Sequence, residues 1–270
     1  MDLSLFDYQF SKDLIAQHPL PRREDSRMMV LDRMEKRWVH KTFSDLPSFL
    51  RAGDVLVLND ALADLVEVDG KPVPALPPYI KRKRAADFTE EDFQRYRTVY
   101  GAVPGSKAAP TAGFHFSEGM LERLRVMGVE TRFVTLHVDY DTYKPIRSQN
   151  VLDHPMHGEA FEILPETAEA VQKAKKEGRR VIAVGTTSVR ALESGANTRF
   201  APTGDTKLFI TPGYRFKIVD AMLTNFHRPR STVLVMVSAF TGRELTLSAY
   251  AEAIHERYRL FSYGDCMLII

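Results

Sequence analysis

The sequence predicts a mixed α/β fold, and three stretches carry that prediction. Residues 53–58 form a short unbroken apolar run opened by Gly53 and closed by Asn59-Asp60, the pattern of a strand covered on both faces. Residues 131–138 alternate instead, with Arg132, Val134, Leu136 and Val138 on one side and His137 near the end of the other. Residues 180–193 read as a strand, a tight polar turn at Gly185-Thr186-Thr187-Ser188 and the start of a helix. Helix and strand alternate through this part of the chain, as in layered α/β proteins.

The other elements follow from their punctuation. Ser117 caps a helix whose stripe is Leu121, Leu124 and Met127 and whose stop is Gly128. Pro165 opens a second helix that runs to Gly178. Residues 233–237 are strongly apolar and predict a buried element, far too short to span the roughly 20 residues of a bilayer. Leu247, Tyr250, Ile254, Tyr258 and Phe261 recur at helical spacing before Gly264 and predict one amphipathic core helix. Pro72, Pro74, Pro77 and Pro78 crowd a short interval that ends in the basic cluster Lys81, Arg82, Lys83 and Arg84, which reads as a surface excursion.

Composition narrows the classes. The 270 residues are 44% hydrophobic and 27% charged, ample for a core and incompatible with disorder or collagen-like repeats. Lys and Arg total 37 against 35 for Asp and Glu, so any nucleic-acid partner has to be held by a local patch. The single cysteine, Cys266, excludes a disulfide framework, a CxxC pair and a thiolate zinc site, and favours a reducing, cytoplasmic compartment. No targeting segment or membrane span is expected.

Chemistry gathers at a few places. The turn at residues 185–188 offers free N–H groups and hydroxyls to a polar or anionic ligand, although Thr187 or Ser188 equally suits a plain helix cap. It matches neither GxGxxG nor GxxxxGK[ST], so it predicts no Rossmann or P-loop site. His154, His157 and Glu159 lie within six residues, and acid–base work suits His157 or Glu159 better than metal ligation, because Pro155 keeps the two imidazoles off one helical face. His115 and His227 each sit beside aromatic and small residues in turn-like segments. Lys81 to Arg84, with Arg95 and Arg97, form the candidate phosphate patch.

Taken in order, many short segments resemble one family. They include Phe6-Asp7-Tyr8, Leu14-Ile15-Ala16-Gln17, Pro77-Pro78-Tyr79-Ile80, Arg95-Tyr96, Ala109-Pro110-Thr111-Ala112-Gly113, Thr135-Leu136-His137-Val138, Met156-His157, Gly185-Thr186-Thr187-Ser188-Val189-Arg190, Thr224-Asn225-Phe226-His227 and Phe261-Ser262-Tyr263-Gly264-Asp265. The series resembles the S-adenosylmethionine:tRNA ribosyltransferase-isomerases of queuosine biosynthesis over nearly the whole chain. The resemblance implies that S-adenosylmethionine serves as a ribosyl donor to 7-aminomethyl-7-deazaguanine in tRNA, giving epoxyqueuosine and releasing adenine and methionine, with no metal. It implies catalytic roles among His157, Glu159, His115 and His137. Thr111, Thr186, Thr187, Arg190, Asn225, His227, Tyr263 and Asp265 would bind the donor, and Lys81, Arg82, Lys83 and Arg84 the RNA. A monomer is the favoured state.

The chain departs from the family in three places. Residues 61–76 are expected to be a short connection where members carry a β-barrel domain, which leaves residues 1–270 as a single α/β domain. Asp139 and Asp141 stand where members have glycine, and residues 104–107 replace a more apolar approach to the Ala109-Pro110-Thr111 segment. Two rival readings therefore accompany the family reaction: a diverged paralogue using the same donor on another substrate, and a non-catalytic tRNA-binding module.

Overall fold

In the computed structural model, residues 1–270 are described, apart from the side chains of Asp141 and Tyr143. The elements in chain order are β1 (Arg27–Asp32), β2 (Arg37–Thr42), β3 (Val55–Asn59), β4 (Ala61–Ala63), β5 (Leu65–Val68), β6 (Lys71–Pro74), α1 (Glu90–Arg95), β7 (Val103–Ser106), α2 (Glu118–Val126) and β8 (Glu130–Leu136). There follow β9 (Glu159–Glu162), α3 (Pro165–Lys176), β10 (Val181–Val184), α4 (Thr186–Asn197), β11 (Thr203–Thr206), β12 (Ala221–Asn225), α5 (Thr232–Thr241), α6 (Arg243–His255) and β13 (Cys266–Ile269).

Nine strands form one sheet in the order β11-β9-β8-β3-β10-β12-β13-β1-β2. The central strands β8, β3, β10 and β12 are parallel, and β13 runs against β12 while pairing in parallel with β1. The alternation of side chains sorts the apolar residues onto two faces. Val55, Val57, Val181, Ala183 and Met222 meet α3 to α6, whereas Leu56, Leu58, Ile182, Val184 and Leu223 meet α2 and the 3-10 turn at Phe43–Phe49. Every residue of β3 and β10 is buried, as the unbroken apolar runs predict.

The predicted helices form with the predicted ends. The Ser117 hydroxyl accepts the Met120 N–H at 3.0 Å, and Gly128 follows at φ +83°. Pro165 begins α3, and Gly178 stands past its end at φ +67°. The single helix expected through Phe261 stops early. Helix α6 ends at His255, Arg257 takes φ +54° and the Tyr258 N–H turns back to the Ala253 carbonyl at 2.8 Å. Tyr258 and Phe261 are buried, but from a turn that leads into β13.

Residues 61–76 hold β4, the hairpin β5–β6 and its two-residue turn, Asp69-Gly70, in which both residues have positive φ. That is the backbone a tight hairpin of right-handed twist requires. No helix among the described residues is long and apolar enough to cross a membrane.

Candidate functional site

The parallel strands end on one edge of the sheet, and the chain leaves that edge in opposite directions: from β3 the crossover runs to β8, from β10 to β12 on the other side. Such a point leaves a crevice beyond the carboxyl ends of the strands. A cleft of about 810 Å³ of atom-free space, partly open to solvent, lies there. Its walls are the segment before α2 (Ala108 to Ala112), the turn at Gly185 to Thr187, and the stretch after β12 from Thr224 to Pro229. A second, smaller lobe shares Thr142, Thr186, Thr187 and Val233 with it and reaches Glu159 and Arg190.

Gly185 makes the turn possible. It takes φ +86° and donates its N–H to the Leu223 carbonyl at 2.8 Å, which starts α4 at the cleft wall. Among the described residues no side chain caps this helix, which leaves the N–H groups of its first turn to a ligand. The Ser188 hydroxyl bonds back to the Val184 carbonyl at 2.7 Å, while the Thr187 hydroxyl is buried without a partner.

Asn225 is the second feature of the wall, and the direction of each of its hydrogen bonds can be worked out. The Ser26 hydroxyl donates to the Arg23 carbonyl at 3.3 Å, so it accepts from Nδ1–H of His115 at 2.9 Å. The other ring nitrogen of His115 is then an acceptor, and it receives the Asn225 amide N–H at 3.2 Å. Burial pushes the His115 imidazole down to about 3, which keeps it neutral and holds this arrangement at ordinary pH. The second amide hydrogen goes to the Phe261 carbonyl at 3.2 Å. Both hydrogens are spent, and the Asn225 amide oxygen is left buried with no partner. Phe261, at φ +71°, is a bulky residue in a backbone region that strongly favours glycine, and it lines the same cleft.

The acid–base candidates are arranged differently from what spacing suggested. Glu159 is buried and accepts from the Arg190 guanidinium, from His157 Nε2 at 3.0 Å and from the Asp139 N–H at 3.1 Å. A carboxylate so occupied fixes the ring of His157. Arg190 also donates to the Thr206 and Leu208 carbonyls at 3.1 and 3.2 Å, and burial lowers its basicity. His115 stands behind Asn225 rather than on the wall of the large lobe. Neither His137 nor His157 lines either lobe: His157 stands beside Glu159 and next to Met156 of the small lobe, whereas the His137 ring packs by Gly105 and its Nδ1 is buried without a partner. His227 does line the cleft, where its ring meets the Thr224 hydroxyl at 2.7 Å and burial pushes it down to about 4.

Of the other donor-binding candidates, Thr111, Thr186, Thr187 and Asn225 line the large lobe and Arg190 the small one. Asp265 does not reach the cleft: it is buried and accepts the N–H groups of Arg27 at 2.9 Å and Arg259 at 2.8 Å, fixing the start of β13. Tyr263 faces a neighbouring cleft. The basic patch is corrected at Arg82 alone, whose side chain is taken up in a two-pronged pair with Asp92 at 2.9 and 3.0 Å; Lys81 and Lys83 are exposed. Arg84 pairs with Asp87 at 3.3 Å. Asp139 meets Lys107 at 2.5 Å, and the side chain of Asp141 lies outside the described residues.

Reading the sequence residue by residue missed the aromatic wall. Tyr79 and Phe261 pack as a tilted pair with centroids 5.0 Å apart and ring planes at 56°, and the Tyr79 hydroxyl meets Ser262 Oγ at 2.7 Å. Both lie in segments that carry the family resemblance, which is the signal that marked them. Among the described residues, the His and carboxylate atoms close enough to share a metal ion are those of Glu252, His255 and Glu256, and none of these lines the cleft.

With this geometry in view, the family model described as "Queuosine biosynthesis protein" matches residues 3–71 and 62–269. The chain belongs to that family. A relative from Desulforamulus reducens, named S-adenosylmethionine:tRNA ribosyltransferase-isomerase, is 38% identical over 347 residues, covering 100% of each chain. One of the same name from Carboxydothermus hydrogenoformans is 41% identical over 344 residues, again with 100% of each chain covered. A solved structure, that of S-adenosylmethionine tRNA ribosyltransferase from Thermotoga maritima, superposes with a TM-score of 0.70 at 30% identity, covering 98% of this chain and 100% of that one. An alignment of 347 positions that takes in all 270 residues here contains stretches of the relative with no counterpart in this chain.

Proposed function

We propose that this protein is an S-adenosylmethionine-dependent transferase of tRNA modification: it moves the ribosyl part of S-adenosylmethionine onto the aminomethyl group of 7-aminomethyl-7-deazaguanine in tRNA. The observation that carries the reading is membership of the family along the whole chain, with the family's segments lining one cleft. The sulfonium of the donor acidifies the adjacent C5′ hydrogen and makes methionine a good leaving group; isomerisation then gives epoxyqueuosine and frees adenine.

The residues fit such a donor. A purine with an exocyclic amine needs an acceptor, and the unpartnered oxygen of Asn225 is one. Tyr79 and Phe261 supply an apolar aromatic surface, and the first turn of α4 supplies N–H donors for a carboxylate. For the C5′ proton we assign His157, held through Nε2 by Glu159 so that Nδ1 is left to accept. His115 and Glu159 are positioning residues. Residues 61–76 are the short connection that stands in place of a second domain, and the protein works in the cytoplasm without a metal.

The decisive experiment is chromatography of S-adenosylmethionine incubated with the protein, with and without tRNA carrying the deazaguanine precursor. Free adenine and methionine in the presence of that tRNA alone are the expected result. Release without tRNA would assign the protein to another acceptor, and binding without release would reduce it to a non-catalytic module. His157→Ala should abolish turnover while leaving donor binding in place.

A further inference from the structure

A second cleft adjoins the first, with Ser262 lining both and Tyr263 lining the second. Arg22, Arg23, Arg95 and Tyr263 line it, with about 280 Å³ of atom-free space that includes open solvent. What distinguishes it is how its arginines are held. Arg23 donates to the carbonyls of Phe114 at 2.9 Å and Arg97 at 3.0 Å, and Arg95 to the carbonyl of Pro21 at 3.0 Å. Carbonyls orient a guanidinium and leave its charge uncompensated. The carboxylate beside Arg22 is Asp25, 3.8 Å away and half-exposed. Arg82, nearby in sequence, has its full two-pronged carboxylate; among the described ion pairs Arg23 and Arg95 have none.

Nε of Arg95 and the hydroxyl of Tyr263 are both buried and have no partner among the described residues. Burial first and the neighbouring charges of Arg95 and Arg97 next push Arg23 down to about 10. A planar guanidinium fork, an orphaned N–H and an orphaned O–H together suit a tetrahedral oxyanion.

We propose that this cleft binds a backbone phosphate of the RNA substrate, next to the nucleotide that enters the donor cleft. The assignment rests on the tRNA reading above. Ser262 is shared by the two clefts, so a nucleotide that meets the donor in the first would have a flanking phosphate close to the second, where Arg22 stands on the exposed rim. The site adds a local cationic patch of the kind that a nearly neutral protein requires.

The test is tRNA affinity measured across a salt series for the full-length protein, Arg22→Gln, Arg95→Gln and Arg95→Lys, with S-adenosylmethionine binding and thermal unfolding measured alongside. Each glutamine variant should weaken tRNA binding about tenfold at low salt and make the salt slope shallower by about one unit, with donor affinity kept. Arg95→Lys should keep the slope and lose part of the affinity, because it retains the charge and loses the fork; a purely structural arginine would not separate the two readouts. Should Arg95→Gln fail to fold, Arg22→Gln, on the surface, carries the test. A wild-type protein that turns over on tRNA, with both glutamine variants equal to it in affinity and slope, overturns the phosphate site alone. A wild type that neither binds tRNA nor turns over overturns the tRNA reading and the site with it. Inorganic phosphate serves as the second probe: variants that lose its binding but keep tRNA affinity assign the cleft to a free anion and overturn the RNA assignment.

Discussion

Glu159 and Asn225 are buried polar side chains at the two lobes of one cleft, and they differ in what remains after the protein has used them. The carboxylate of Glu159 is taken up by Arg190, His157 and a backbone N–H; Asn225 spends both hydrogens on His115 and Phe261 and keeps an oxygen with nothing to accept. A closed network holds parts in place, and an open one waits for a ligand. Titratable residues are the obvious catalysts in a sequence, yet in the function proposed above the most conspicuous carboxylate positions its neighbours and an amide is the group assigned to binding.

Removing the closed network should have the largest effect. Glu159→Ala leaves Arg190 charged, buried and unpaired, and should cost about 3–5 kcal/mol of folding stability, read by denaturant unfolding. If Glu159→Ala instead unfolds like wild type and only turnover falls, Glu159 belongs with the catalysts and the contrast collapses.

Acid should strike the open side. His115 and His227 sit at about 3 and about 4 in the folded state against 6.5 when free, so the unfolded chain binds more protons in between. Their contribution to stability is complete above 6.5 and falls away as the pH drops toward 4. Melting temperatures measured over that interval should decline, and His115→Asn should flatten the decline.

Asn225→Ala should weaken S-adenosylmethionine binding about tenfold, measured by calorimetry, from the loss of one acceptor to the ligand. Unchanged affinity would mean that the orphaned oxygen is not read by the donor. The smallest change has the opposite sign for stability: Thr187→Val removes a buried hydroxyl without a partner, and should raise stability by about 1 kcal/mol while loosening the donor.

Much of this was legible in the sequence where local rules govern. Strands β3, β8 and β10 and helices α2 and α3 follow from apolar runs, caps and glycine stops, and Gly185 marks its turn unaided. Strand β13 was not legible as a strand, since four apolar residues after a turn carry no period of their own. The extension of α6 through Phe261 failed because helical spacing continues past Arg257, whose positive φ ends the helix. For the site, residue types identified which side chains gather. They gave no hint that Arg82 has a private partner in Asp92 while Arg23 and Arg95 have none, because pairing between residues distant in sequence is a property of the folded chain.

The place of β13 in the sheet bears on how the protein is made. Residues 27–42 form a hairpin early in synthesis, but their link to the sheet is β13, residues 266–269, which pairs with β1 on one side and β12 on the other. Until that segment leaves the ribosome, the inner edges of β1 and β12 are both open, and the two parts of the sheet are held together by other contacts alone. Joining the two parts of the sheet is therefore a long-range step, slow by its topology, and the nascent chain presents two unpaired strand edges until it occurs.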